Sequence, residues 1–118
     1  MKIVQHEQKG TLISEAIGDG VFIAKTQDAL DLMVMPKVSR RIIVHKENVA
    51  PEFFDLSTGL AGETLQKFVN YGVRIAIVGD FTEVRSPSLR AFITESNRGY
   101  QVGFFGSLDA AKNFLSQE

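Results

Sequence analysis

Apolar and polar positions interleave over residues 2–7 and again over 11–16 (Thr11-Leu12-Ile13-Ser14-Glu15-Ala16), the spacing of two short strands. Gln8-Lys9-Gly10 between them reads as a hairpin turn. Gly18-Asp19-Gly20 breaks the chain again, and Val21-Phe22-Ile23-Ala24 follows as a third short strand or an extended connection. The apolar period then lengthens to that of a helix. Thr26 reads as its N-cap, with Asp28 in the first turn where a helix dipole favours an acid. Ala29, Leu30, Met33 and Val34 share one face, and Pro36 ends the segment. Ile42-Ile43-Val44 is a compact β-branched run of the kind found in buried strands.

A second helix is predicted from Ser57 or Thr58 to Tyr71, with Leu60, Ala61, Thr64, Leu65, Phe68 and Val69 facing inward and Gly72 as its left-handed terminator. Val73–Val78 is the clearest strand. Ser86-Pro87 is an N-cap followed by proline at the first helical position, opening a helix that turns Leu89, Phe92, Ile93 and Ser96 inward and stops at Gly99. Gln101–Phe105 is a last strand, and Ser107 caps a final helix carrying Ala110, Ala111, Phe114 and Leu115. The order β-β-(β)-α-β-α-β-α-β-α predicts an α/β fold: a mixed, mostly parallel sheet with an N-terminal antiparallel hairpin and about four helices. Its length of 118 residues suits one domain, 1–118, with a core that needs neither metal nor disulfide. Strand alternation sends Phe104 and Phe105 to opposite faces. Burying both requires cover on both sides, which suggests a second subunit and hence a homodimer.

Charge and composition narrow the function classes. Seven basic and six acidic residues precede Pro51, and six basic and eight acidic follow, so neither half has the basic surplus of a phosphate-backbone binder. Nucleic acid is therefore not an expected partner. The absence of cysteine removes thiol catalysis, disulfides and thiolate metal sites. His6 and His45 are far apart in sequence with no His-x-x-x-His or Glu-x-x-His spacing, so no metal and no cofactor is expected. Polar residues interrupt the N-terminus almost at once, and no apolar run approaches membrane-span length. No membrane association and a cytoplasmic location are the expectations.

The segment Phe54-Asp55-Leu56-Ser57-Thr58-Gly59-Leu60-Ala61-Gly62 resembles the STAS domain signature, in which an Asp-Ser-Ser-Gly-Leu-Gly-type segment opens the helix after a buried strand. STAS domains occur in anti-anti-sigma factors and in the cytoplasmic tails of anion transporters. Residues 51–81 and Ser88–Gly99 further resemble a bacterial family of stand-alone proteins of unknown function (family 4180), which brings no established activity. The STAS resemblance implies a non-enzymatic interaction or signalling module with an unknown protein partner. Ser57 and Thr58 fall on its paired hydroxyl positions, flanked by Asp55 and Gly59, where a partner kinase phosphorylates anti-anti-sigma factors. The chemistry is coherent, since a helix N-terminus stabilises phosphate and a phosphate adds about −1.5 to −2 of charge. Two departures stand out: Leu56 separates Asp55 from Ser57, and a threonine replaces the usual serine. Helix capping by the same hydroxyls also accounts for them without a partner.

A second reading concerns the rim of the sheet. His45-Lys46-Glu47 follows one parallel strand and Gly79-Asp80-Phe81 follows the next, so both strand ends meet the rim where ligands bind in open α/β sheets. His45, Glu47, Asp80 and Phe81 are the candidate ligand residues, with Thr58 brought near them. They would serve a small-ligand-binding protein or a weak enzyme, although no spacing places a nucleophile and no catalytic residue is assigned. Gly59-Leu60-Ala61-Gly62 lacks the lysine and serine of a phosphate-binding loop. Arg90 and Arg98 are eight apart on one helical face and, with Asn97, form a candidate partner surface; a solvated helix face is the simpler reading of the same residues.

Overall fold

The computed structural model describes residues 1–118. Strands β1 (Lys2–Gln8) and β2 (Thr11–Ile17) form a hairpin, followed by α1 (Thr26–Met33), β3 (Arg41–His45), α2 (Leu60–Asn70), β4 (Arg74–Val78), α3 (Pro87–Arg98), β5 (Val102–Phe105) and α4 (Leu108–Leu115). The five strands lie in sequence order across one sheet. β1 and β2 are antiparallel, and every later neighbour is parallel. The fold is therefore the expected α/β architecture with a mixed sheet and four helices.

Stepping always in one direction across a parallel sheet with right-handed crossovers puts every connecting helix on the same face. Ala29 and Leu32 of α1, Ala61, Leu65 and Phe68 of α2, and Phe92 and Ile93 of α3 accordingly share one core with Ile42, Val44, Ile75, Ile77 and Phe104. The opposite face is covered by the chain's own α4, whose Ala111, Phe114 and Leu115 pack on Ile13, Ile43, Ala76 and Val78. Phe104 and Phe105 do go to opposite faces, but α4 supplies the second cover, which removes the reason given for a second subunit. Gly103 is required here: a Cβ would stand 2.3 Å from the Phe105 ring.

Several local expectations shift. Helix α1 is capped at Lys25, not Thr26, because the Asp28 carboxylate reaches back to the Ala24 and Lys25 amides at 2.9 and 3.1 Å. Val34 lies past the end of α1 and is 80% exposed, and Val69 is 40% exposed. The helix predicted from Ser57 or Thr58 begins at Leu60, after a separate 3₁₀ turn at Leu56–Thr58 and a left-handed Gly59 (φ +77°). Val21–Ala24 is an extended connection whose Ile23 makes a single bridge to Val49. The Ser86 and Ser107 caps stand as predicted, each accepting from an amide in the first turn at 3.2 Å.

Candidate functional site

The carboxyl ends of β3 and β4 open into a cleft of about 710 Å³ lined by Val21, His45, Lys46, Glu47, Val49, Pro51, Phe54, Val78, Gly79 and Asp80. Its position follows from topology, since the adjacent parallel strands β3 and β4 both end here. Buried Asn48 fixes the far wall. Its side-chain amide donates to the Gly18 and Gly20 carbonyls at 3.0 and 2.7 Å, and its backbone carbonyl accepts from Phe22 at 2.6 Å. These bonds hold Val21 over the strand ends.

Lys46 crosses the floor of the cleft. Its stem lies against Gly79, where an added Cβ would come within 2.4 Å, so only glycine admits it. Its ammonium sits 5.8 Å from the Phe54 ring centre and 5.1 Å from that of Phe81, and donates to the Asp80 carbonyl at 2.8 Å. Asp80 turns its carboxylate onto its own loop, accepting from the Thr82 hydroxyl (2.6 Å) and amide (2.9 Å). These bonds hold its carboxyl below the ordinary range. Phe81 does not line the cleft; its ring packs beneath it between Phe54 (6.0 Å) and Phe104 (5.6 Å).

His45 connects the cleft to a cluster built on the sheet face opposite the three crossover helices. The hairpin register sets Val4 opposite Glu15 and His6 opposite Ile13, while Glu15 aligns with Ile43 on β3. His6 and His45 are thus diagonal neighbours of Glu15, one on each adjacent strand, close enough for long side chains to meet. Glu15 is buried, and its two oxygens take one imidazole each: His6 Nε2 at 2.7 Å and His45 Nε2 at 2.6 Å. Burial by itself raises the Glu15 carboxyl, but the hydrogen bonds and charges of His45 and His6 outweigh it and hold the group below its usual value. An ionised carboxylate can only accept, so both rings donate through Nε2–H and keep Nδ1 turned elsewhere. The His45 side chain remains 25% exposed at the cleft.

Of the residues read from sequence, His45, Glu47 and Asp80 come together at the rim, and Thr58 does not join them. The Asp55 carboxylate accepts from the Ser57 amide (3.1 Å) and hydroxyl (2.6 Å), which hold its carboxyl low. The Thr58 hydroxyl lies 2.8 Å from both the Glu52 and Asp55 carbonyls and accepts from the Leu60 amide at 3.2 Å. That single bond is its contribution to capping α2, while Gly59 occupies the cap position. Arg90 is exposed, Arg98 pairs with Glu95 at 3.3 Å, and the Asn97 amide is spent on the backbone of Phe104. Glu15, His6 and Lys46 were missed. A charged residue inside the apolar Leu12–Ile17 run was a visible signal, and the hairpin register would have placed His6 diagonally to it.

The chain belongs to the family described as "Domain of unknown function (DUF4180)", whose model matches residues 8–115. No curated protein and no solved structure matches it. No helix is long and apolar enough to cross a membrane.

Proposed function

We propose that the protein is a small-ligand-binding module and that the ligand sits in the rim cleft at the ends of β3 and β4. The observation that carries this reading is the cleft itself. Its roughly 710 Å³ falls within the range of small-molecule sites, and it joins an apolar wall (Val21, Val49, Pro51, Phe54, Val78) to a few convergent polar groups. His45 is held rigid by a buried carboxylate, and a fixed polar group loses little freedom when a ligand binds. A thermal-shift survey across a broad metabolite panel tests the reading. A ligand at a hundred times its Kd should stabilise the protein by about 2.7 kcal/mol, and the gain should vanish in His45→Ala and Asp80→Ala. A panel without any shift, or shifts that survive both substitutions, counts against it.

The second reading is a STAS-like interaction module under phosphorylation control, favoured by one observation. Ser57 is exposed on the loop that opens α2, and its hydroxyl is tied only to Asp55. Ser57 is thus a more accessible acceptor than Thr58, whose hydroxyl is turned onto the backbone. Phosphate at Ser57 would replace the Asp55 bond with like-charge repulsion and reshape the loop. The reading requires a phosphopeptide within residues 47–67 from cells and altered partner capture in Ser57→Ala; unchanged capture in both Ser57→Ala and Thr58→Ala removes it. Arg90 and Arg98 are the candidate partner surface in that case.

A further inference from the structure

We infer that the rim cleft takes a small organic anion with an apolar body, and that the His6–Glu15–His45 cluster lets His45 take up a proton as that anion binds. The inference deepens the ligand-binding reading and rests on it. Lys46 spends one of its three N–H donors on the Asp80 carbonyl, leaving two for a ligand. His45 spends Nε2–H on Glu15, and no other group of the chain bonds its ring. Glu15 therefore fixes the tautomer. Neutral His45 offers only a lone pair at Nδ1, whereas protonated His45 offers a second N–H donor. With Lys46, that donor completes a cationic edge on a cleft whose other wall is apolar.

Charged groups face His45 from several elements. Glu15 carries one negative charge between two imidazoles, so the cluster is anionic with both rings neutral, neutral with one protonated and cationic only with both. His6 on β1 competes for the same carboxylate. Lys2 of β1 shares this sheet face, Lys46 and Glu47 follow His45 on the rim, and Asp80 lies across the cleft. From α4, Asn113 and Ser116 accept hydrogen bonds from Gln8 of the hairpin. Of the two rim acids, Asp80 is already engaged by Thr82, while Glu47 is exposed to solvent. A bound anion supplies the second negative charge that favours two imidazolium ions over one. Binding and protonation are then linked, and each strengthens the other.

The test uses the whole chain with naphthalene-2-sulfonate, which stays anionic throughout, and the neutral naphthalene-2-sulfonamide. Calorimetry in two buffers of different ionisation enthalpy counts protons, and backbone amide shifts locate the site. The expected result is sulfonate binding that perturbs His45, Lys46 and Val78, tightens roughly tenfold from about pH 8.5 to about pH 5.5, and takes up protons. His45→Gln should abolish the uptake and flatten the pH dependence, while His6→Gln, which leaves the cleft lining intact, should keep binding with an altered pH profile. Circular dichroism confirms that both variants fold; should His45→Gln fail to, Lys46→Met must weaken the sulfonate and spare the sulfonamide. Sulfonate binding without uptake, or preference for the sulfonamide, overturns the inference and leaves the ligand-binding reading standing. Failure of both probes to perturb the cleft overturns the inference, and the metabolite survey then decides the broader reading separately.

Discussion

Glu15 is the only acidic side chain among the buried residues, and both histidines of the chain converge on it. Taking a carboxylate out of water is costly unless its lone pairs are satisfied, and two imidazole N–H donors meet that need. Glu15→Gln keeps the shape but turns an amide N–H₂ toward one of the rings. The expected cost at about pH 7 is about 1–3 kcal/mol by urea unfolding. The sign of its pH dependence follows from the depressed carboxyl. A lowered folded-state value contributes stability above the unfolded value of 4.5 and loses it as pH falls through the folded value. The gap between wild type and Glu15→Gln should therefore narrow below that pH, and a constant gap down to about pH 3.5 contradicts this account. At this scale the sequence showed which residues carry chemistry but not which of them meet. His6 and His45 are far apart in sequence, and sequence separation says nothing about diagonal neighbours across three strands.

Among the elements, β5 shows how a sheet edge is closed. Its inner side pairs with β4, and on its outer side Asn97 of α3 donates to the Phe104 carbonyl at 2.9 Å and accepts from the Phe104 amide at 2.7 Å. The side-chain amide thus imitates one residue of a neighbouring strand. Asn97→Ala should cost about 1–2 kcal/mol and accelerate hydrogen exchange at the Phe104 amide more than at Ile77, which lies inside the sheet. Equal acceleration at both would point to general destabilisation instead. Helix positions were legible from apolar spacing and serine caps. The starts of α1 and α2 differ from the spacing because several side chains compete for the amides there: Asp28 reaches back past Thr26, and Asp55 takes the Ser57 amide.

Across the whole molecule, two layers of unequal size enclose the sheet, three helices on one face and α4 on the other. The smaller layer is anchored by buried Arg74, which pairs with no carboxylate. Its guanidinium donates to the carbonyls of Phe114 (2.9 Å), Leu115 (3.1 Å) and Gln117 (2.9 Å) at the end of α4 and to Tyr100 (2.6 Å). It also stacks 3.6 Å from the Tyr100 ring centre. Burial pushes the group below its ordinary value; Tyr100 opposes that shift and Arg41 adds to it. A cation at a helix C-terminus satisfies the orphan carbonyls and the dipole together. Arg74→Leu should lower stability by about 2–3 kcal/mol and Tm by roughly 8–15 °C, read by calorimetry. A change under about 0.5 kcal/mol would mean that α4 is held by its apolar face alone.

Period and composition alone determined the layered α/β class, the hairpin and the order of strands and helices, because burying one face of each element imposes a repeat visible in a single chain. They also placed the rim at the ends of β3 and β4, since parallel strands in succession must end together. Only the tertiary structure decided what the rim contains and what lies beside it. Strand register brings His6, Glu15 and His45 onto one carboxylate, and it depends on pairings between segments separated by 9 and 30 residues. Likewise, α4 proved to be the cover for the second sheet face, because its apolar stripe would have fitted either side and only the path of the chain after β5 chose between them.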